Sequence, residues 1–181
     1  MPDGARCYTG RVMAQTRSHR HAPAGPTGHD HASCVADALA LAEDICRSQG
    51  ARLTPIRRRV LELVWESHRP AGAYEILDRL NESGRRMAPI AVYRALDFLM
   101  EHGLVHRLAS RNAFIGCTHP VRAHAAQFLI CERCETVTEL EDGEIARAVS
   151  DGATRAGFSL SGHVIEAQGI CEACRRGAPA R

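Results

Sequence analysis

Apolar residues in the first half of the chain recur at helical spacing. Val35, Leu39 and Ala42 lie three or four positions apart, and similar stripes follow until Leu96 and Leu99. Serine or proline opens most of these stretches and glycine or a polar cluster closes them, which are ordinary start and stop signals of helices. The pattern predicts four helices, which begin at Ser33, Pro55, Ala73 and Pro89 and end near Gly50, Ser67, Glu82 and Gly103.

The period of the apolar residues then changes to two. Residues 104–108 and 113–117 are predicted as short strands, and residues 109–112 between them as a hairpin turn. Three short helices followed by a β-hairpin are typical of a winged helix-turn-helix. In that arrangement the helix before the hairpin enters the major groove of DNA.

A second module with strands and a helix follows the hairpin. A helix is predicted at 144–156, capped by Asp142, with Ile145, Ala148 and Val149 facing inward. Strands are predicted at 127–130, 136–140, 158–160 and 164–167. The fold class is therefore α+β. The predicted organisation is a disordered, histidine-containing tail at 1–32, a winged-helix DNA-binding domain at 33–117, a hinge at 118–124 and a small α/β domain at 125–181.

Two cysteine pairs with the same spacing lie in this second module. Cys131 and Cys134 form one CxxC pair, Cys171 and Cys174 form the other, and 36 residues separate them. Each pair can hold one side of a soft metal ion, and two pairs make the tetrahedral Cys₄ set that structural zinc prefers. The sequence therefore predicts a structural zinc site that ties the end of the chain to the first strand pair.

Charge is distributed unevenly along the chain. The formal net charge is only +2, but residues 52–111 carry 11 Arg against 7 acidic residues, and residues 112–181 carry 7 Arg against 9. A basic middle is consistent with a nucleic-acid partner. No apolar run has the length of a signal peptide or of a membrane span, so we expect a cytoplasmic protein with reduced cysteines.

Candidate DNA contacts lie near the start of the fourth helix. If Val92 and Leu96 face the core, Tyr93 and Arg94 face the groove, where arginine can bind guanine with two parallel hydrogen bonds. Tyr74, at the start of the third helix, and one arginine of the run 57–59 are candidate phosphate contacts. The alternative is a solvated helix face that carries an incidental Tyr-Arg pair.

These motifs together resemble the ferric uptake regulator (Fur) family. The resemblance covers residues 37–176, and its strongest segments are 53–57, 92–99, 103–106 and the two CxxC pairs. Within the family the chain is most similar to the zinc uptake regulators. The resemblance implies a homodimeric bacterial repressor that binds operator DNA when zinc is bound and controls zinc-uptake genes. It also implies that residues 125–181 form the dimerisation domain, that Tyr74, Tyr93, Arg94 and Arg57 contact DNA, and that the protein is not an enzyme.

The resemblance further implies a second, regulatory zinc ion in each protomer, beside the structural one. Its ligands would be His106, Cys117, His124 and Glu139. Nitrogen, sulfur and oxygen donors in a four-coordinate set suit Zn²⁺, and a thiolate discriminates against Mg²⁺ and Mn²⁺. If no metal binds here, Cys117 is a small buried side chain, His106 a half-exposed histidine of a strand and Glu139 an acidic residue of the surface. His163 and the four histidines of the tail are further candidate metal ligands.

Three departures from the family pattern stand out. Ala91 replaces a threonine that usually precedes Val-Tyr-Arg, which removes one hydroxyl donor for phosphate. Glu135 replaces a glycine that is common after the first CxxC pair. The histidine tract of iron-sensing relatives is reduced to His124, with His119 further back, which argues against iron.

Three other functions remain open at this stage. The chain could be a Fur-family regulator that responds to iron, manganese or peroxide. The CxxC pairs could be redox dithiols, although the βαβ context of a thioredoxin-like enzyme is missing. The second module could also be a zinc-stabilised protein-interaction module without a DNA role.

Overall fold

The computed structural model describes residues 31–67, 69–82, 84, 86–120 and 125–177. The elements are α1 (His31–Ser48), α2 (Pro55–Trp65), β1 (Ala71–Gly72), α3 (Ala73–Asn81), α4 (Pro89–Glu101), β2 (Val105–Leu108), a 3₁₀ turn (Ala109–Arg111), β3 (Ala113–Gly116), β4 (Ala126–Cys131), β5 (Val137–Leu140), α5 (Gly143–Arg155), β6 (Val164–Gly169) and α6 (Glu172–Arg175). All four helices and both hairpin strands predicted for the first half are present, with ends shifted by one or two residues. The tail predicted at 1–32 lies outside the described residues, apart from the start of α1 at His31.

Helices α1 to α4 and a small sheet share one hydrophobic core. Val60, Val92, Leu96 and Leu99 are all at most 1% exposed, so the apolar stripes of α2 and α4 face the core as predicted. Pro55 and Pro89 occupy the first turn of α2 and α4, where the missing N–H has no helical partner in any case. The recognition-helix candidate α4 is therefore held by packing along its inner face and leaves its outer face free.

The sheet of this first half contains a strand that the sequence did not predict. Ala71 and Gly72, expected to be part of a turn, form β1 and pair with Phe114 and Ala113 of β3, so the strand order is β1-β3-β2. A strand of two residues is too short for its alternation to be read from the sequence. The 3₁₀ turn at the hairpin tip ends at Asn112, whose φ of 46° is left-handed. Arg107 Nη2 donates to Asn112 Oδ1 at 3.0 Å across this tip.

The second half contains a three-stranded sheet in the order β5-β4-β6 and the helix α5. Strands β4 and β5 are antiparallel, whereas β4 and β6 are parallel and are connected through β5 and α5. Asp142 caps α5 as predicted, because its carboxylate accepts hydrogen bonds from the N–H groups of Glu144 and Ile145.

Two predictions for this half were wrong. Residues 158–160 form no strand, and Phe158 is 70% exposed. Ile145 and Ala148 of α5, expected to face inward, are exposed, and Val149 is only half-buried; no residue of this fully described helix is buried. The helical periodicity is present, but the described residues of one protomer do not bury the apolar side of α5.

The two halves meet in a hydrophobic cluster. Leu108 and Ile115 of the hairpin pack with side chains of the second sheet, namely Ala126, Phe128, Ile130 and Val137. Leu108 and Phe128 are at most 1% exposed. The hairpin is therefore docked on the second sheet. Among the described helices, none is long and apolar enough to cross a membrane.

Candidate metal centres and nucleic-acid interface

The two CxxC pairs come together at one end of the second sheet. Cys131 ends β4 and Cys134 follows in the turn, while Cys171 caps α6 and Cys174 lies within it. The four Sγ atoms lie within 4.8 Å of one another, and those of Cys134 and Cys171 are 3.7 Å apart. Four sulfurs at a Zn–S distance of about 2.3 Å would be separated by about 3.8 Å in a tetrahedron. The spacing therefore fits one zinc ion.

Hydrogen bonds favour thiolate at Cys131 and Cys134, whereas burial and the neighbouring cysteines raise the pKa of Cys174 to about 12. Cys171 N donates to Cys131 Sγ at 3.4 Å. The backbone N–H groups of Cys171 and Cys134 together outweigh burial and lower the pKa of Cys131 to about 6. A hydrogen-bond contact of Cys134 with the hydroxyl of Thr136 is the largest cause that lowers the pKa of Cys134. Metal ligation requires thiolate, so the contacts of Cys131 and Cys134 prepare these two ligands for a cation, whereas Cys174 must release its proton when it binds one.

A second cluster forms where the two halves meet. His106 of β2, Cys117 after β3 and Glu139 of β5 each offer one ligand atom, and these atoms also lie within 4.8 Å of one another. His106 Nε2 is 3.6 Å from Glu139 Oε1. The structure thus brings together three of the four residues named for the regulatory ion, two from the first half and one from the second.

Neighbouring groups hold the carboxylate of Glu139 in place. Thr118 donates to Glu139 Oε2 through its backbone N–H at 3.0 Å and also through its hydroxyl. The side chain of Glu139 is only 7% exposed and that of His106 16%. The ring of His106 also meets Phe128 edge-on, with the centroids 5.3 Å apart. Such outer contacts orient metal ligands in known sites.

The electrostatics of this cluster are those of a site for a cation. Burial, and then the negative charge of Glu139, raise the pKa of Cys117 to about 12. A largely buried carboxylate beside a thiol and an imidazole is costly without a positive charge among them. The mixed N, S and O donors and the short distances therefore fit a four-coordinate Zn²⁺ for which these residues supply three ligands.

Two other predicted metal ligands are not tested by this geometry. His124 lies outside the described residues, which resume at Ala125. His163 is half-buried just before β6 and belongs to neither cluster of described residues.

Three of the four predicted DNA contacts are exposed. Tyr74 at the start of α3 is 67% exposed, Tyr93 on α4 is 38% exposed, and Arg94 is exposed beside it. Tyr74 and Tyr93 line a concavity of about 290 Å³ that also includes Asp97 of α4 and Arg107 and Asn112 of the hairpin. The tyrosine pair, α4 and the hairpin tip therefore border one small hollow on the surface of the first half.

The three consecutive arginines of α2, residues 57–59, differ in their contacts. Arg58 and Arg59 form ion pairs with acidic side chains of α1 and α2. The guanidinium of Arg57 instead lies 3.4 Å from the centroid of the Phe98 ring and donates to the carbonyl oxygen of Arg52 at 2.7 Å. Among the acidic side chains that the structure describes, none forms an ion pair with Arg57, whose guanidinium lies over the Phe98 ring of α4.

Two residues that contact across the domain boundary were missed by the sequence analysis. Thr118 was placed in the hinge, and Glu166 was read only as part of a strand. Glu166 accepts hydrogen bonds from the backbone N–H groups of Ala109 and Ser110, at 2.7 and 3.1 Å. Its partners are more than 50 positions away in the sequence, so no local pattern could have found this contact.

Comparison with known proteins identifies related chains. Residues 48–168 match the family model described as the ferric uptake regulator family. The zinc uptake regulation protein of Escherichia coli (strain K12) is 42% identical over 141 residues, which cover 75% of this chain and 80% of the relative. The solved structure of a zinc uptake regulator complexed with zinc and DNA has a TM-score of 0.75 and 38% identity, covering 79% of this chain and 96% of that one. The crystal structure of holo XcZur has a TM-score of 0.71 and 42% identity, covering 76% of this chain and 96% of that one.

Proposed function

The chain belongs to the ferric uptake regulator family, and we propose that it is a zinc-responsive, dimeric repressor of transcription that controls zinc-uptake genes. It binds operator DNA when zinc occupies the cluster between its two domains. The observation that carries the proposal is this cluster, in which β2 and β5 each contribute a ligand. Its similarity to zinc uptake regulators, one of them bound to zinc and DNA, supports the same function.

Each protomer would hold two zinc ions with different roles. Cys131, Cys134, Cys171 and Cys174 hold the structural ion. His106, Cys117 and Glu139, with His124 as the fourth ligand, hold the regulatory ion. When bound there, zinc supplies a tetrahedral centre that joins donors of the two domains.

The residues of the chain explain how such a junction affects DNA binding. Helix α4 ends at Glu101, and β2 begins at Val105, only a few residues later. Leu104 is buried, and its carbonyl accepts the N–H of Cys117 at 3.0 Å, so α4, β2 and the end of β3 form one packed unit. Fixing His106 and Cys117 against Glu139 therefore fixes α4 relative to the second domain. In a dimer it also fixes the spacing of two α4 helices.

The DNA contacts divide into base and backbone contacts. Arg94 reaches a guanine edge from α4, and Tyr93 lies beside it for a thymine methyl group or a phosphate. Tyr74 and Arg57 contact the backbone and set the register. The guanidinium of Arg57 has five N–H donors, and its bond to the carbonyl of Arg52 uses one, which leaves donors for phosphate. Ala91 contributes no hydroxyl, so one phosphate contact is lost.

The dimer interface would lie on the second domain. Strand β6 is an edge of its sheet, and edges with apolar neighbours pair readily. The second domain also carries five exposed apolar side chains: Leu129, Ile145, Phe158, Leu160 and Val164. A second copy of the chain would cover them and complete the burial that α5 lacks. On this proposal the domains are 33–117 and 125–181, joined by a hinge at 118–124 and preceded by a tail at 1–32.

The same residues argue against the other functions. The thiolate of Cys117 favours zinc over manganese, and the CxxC cysteines converge as one metal site rather than as two separate dithiols. A module that binds only proteins would not require the exposed Tyr74, Tyr93 and Arg94, which are suited to contact DNA. A regulator of this kind acts in the cytoplasm, on the chromosome, and is not an enzyme.

Zinc content and DNA affinity test the proposal together. Purified protein should hold two zinc ions per protomer, and mild chelation should leave one while abolishing binding to a duplex selected from random DNA by the zinc-loaded protein. Restoring zinc should restore binding, whereas Fe²⁺ or Mn²⁺ should not. His106→Ala and Cys117→Ser should behave like the chelated parent. Cys46→Ser, which changes a buried cysteine in α1 outside both clusters, is the matched control. Equal DNA affinity with one and two ions would refute the proposal.

A further inference from the structure

One row of side chains across the second sheet faces the DNA-binding domain. In the strand register Phe128 of β4 pairs with Glu139 of β5 on one side and with Glu166 of β6 on the other. Directly paired residues point to the same face of a sheet. The row therefore consists of a buried aromatic ring between two carboxylates.

The three members of this row contact successive parts of the hairpin. Glu139 lies by His106 of β2 and by Thr118, and Phe128 packs with Leu108 at the end of β2. Glu166 reaches the 3₁₀ turn at the tip. Polar contacts at the domain boundary thus lie on both sides of the hydrophobic cluster.

Glu166 accepts three hydrogen bonds from the start of the turn. Ala109 N donates to Oε1 at 2.7 Å, and Ser110 donates to Oε2 through its N–H at 3.1 Å and through its hydroxyl. The first N–H groups of a helical turn have no partner within the turn, so the carboxylate supplies what the local sequence lacks. Charge-assisted hydrogen bonds of this kind are stronger than neutral ones.

A third contact lies beside this one. Arg111, the last residue of the same turn, has its Nη1 3.9 Å from Glu135 Oε1, next to the first CxxC pair. The turn is thus approached by two carboxylates of the second domain, from β6 and from the cysteine-rich turn. Neither Glu135 nor Glu166 is among the donors of the interdomain cluster.

We propose that Glu166 is a positioning residue for DNA recognition, whose carboxylate fixes the hairpin tip to the dimerisation sheet independently of the metal ligands. The inference rests on the proposed function, because it concerns how that function is achieved. Glu139 and its neighbours fix one end of the hairpin when zinc is bound. Glu166 fixes the other end whether zinc is bound or not. With both ends fixed, α4 has one orientation; with only the metal end fixed, the hairpin and α4 can still pivot about that end.

Glu166→Gln tests this with little change of shape. The variant should still hold two zinc ions per protomer, but the zinc-loaded dimer should bind the selected duplex about 5- to 30-fold more weakly, within the range usual for coupling between sites. Hydrogen exchange of the peptide amides of Ala109 and Ser110 should be faster than in the parent, both with and without the regulatory ion. Glu144→Gln, which removes the same charge from an exposed position of the second domain in the first turn of α5, is the control and should change neither quantity.

A second variant keeps the test valid if Glu166→Gln folds poorly. Ser110→Ala removes one of the three donors without touching the sheet and should weaken DNA binding by about two- to fivefold. In the Glu166→Gln background the same change should add almost nothing, because its partner is already lost. Additive effects would mean that Ser110 acts on DNA directly, and the proposal would be overturned.

The outcomes separate this inference from the function it rests on. If the parent binds DNA equally with and without zinc, the proposed function fails, and the exchange rates still decide whether Glu166 fixes the turn. If the parent responds to zinc but Glu166→Gln matches it in DNA affinity, or in exchange of the two amides, the positioning role is refuted and the function stands.

Discussion

Replacing Gly116 by alanine should destabilise the DNA-binding domain measurably. Gly116 lies in β3 opposite Val105, with the indole of Trp65 pressed against its backbone. A Cβ at this position would lie 2.3 Å from Trp65 Cε2 and Nε1 and 2.8 Å from Cζ2. Real Cβ contacts are not that short, so the ring or the strand must move.

The unfolding free energy lost in Gly116→Ala depends on how rigid the residues around Gly116 are. Trp65 packs against the core of the first domain, and Cys117 follows Gly116 directly. Overpacking of a well-filled core costs about 1–3 kcal/mol, and we expect the upper part of that range because the clash involves a ring rather than a flexible chain. The shift of β3 should also weaken zinc binding at the interdomain cluster, since it displaces Cys117.

Urea unfolding at saturating zinc measures this effect. Trp65 is the only tryptophan of the chain, so its fluorescence reports on this contact, and circular dichroism reports on the whole fold. Gly162→Ala is the control, because a Cβ there meets nothing within 4 Å. Trp65→Phe should partly rescue Gly116→Ala by making room. A loss of unfolding free energy below about 0.5 kcal/mol, the level of an ordinary surface substitution, would refute the reasoning.

Four further predictions follow from the site and its surroundings. Arg94→Ala should cost about 1–3 kcal/mol of DNA binding and relax the sequence preference, as seen by selection from random duplexes; unchanged selectivity would exclude Arg94 as a base contact. Since the pKa of Cys117 is raised to about 12, its thiol is protonated at neutral pH and must release a proton on metal binding. Zinc affinity of the interdomain cluster should therefore rise with pH, by up to about tenfold per unit, in chelator competition; an affinity that does not change with pH would contradict the proton release. Glu135 has a φ of 60°, so Glu135→Gly should raise the unfolding free energy by about 0.5–1 kcal/mol; a loss of stability would show that its contact with Arg111 outweighs the backbone strain. Ile145→Asp on α5 should shift the protein towards monomers in sedimentation, and a variant that remains dimeric would place the interface elsewhere.

The helices and the cysteine site could be predicted because their signals are local. The stripe of Val92, Leu96 and Leu99 fixes a helix and its buried face, and the paired CxxC spacing fixes a Cys₄ cluster. The Glu135 departure also has a local meaning, since the glycine it replaces suits the left-handed backbone that the structure has there.

The remaining features depend on contacts that sequence spacing does not encode. Strand β1 exists only because β3 lies beside it, and residues 158–160 alternate like a strand but have no neighbour to pair with. His106, Cys117 and Glu139 were named from a family resemblance rather than from their spacing. Glu166 was missed because its partners lie on another domain. The inward positions of α5 were misjudged since one protomer alone does not bury them.

The shared cluster of Leu108, Ile115 and Phe128 has a consequence for any attempt to separate the two halves. In a fragment that ends at Cys117, the side chain of Leu108, which is fully buried in the whole chain, would be exposed to solvent on the hairpin. Because of this exposed apolar side chain, the fragment should aggregate more readily, and its hairpin should be less stable. A chimera that joins this first half to the second half of a relative must therefore also carry the sheet residues that pack against Leu108 and Ile115. If the two chains are simply joined in the connecting loop, the two surfaces will not be complementary.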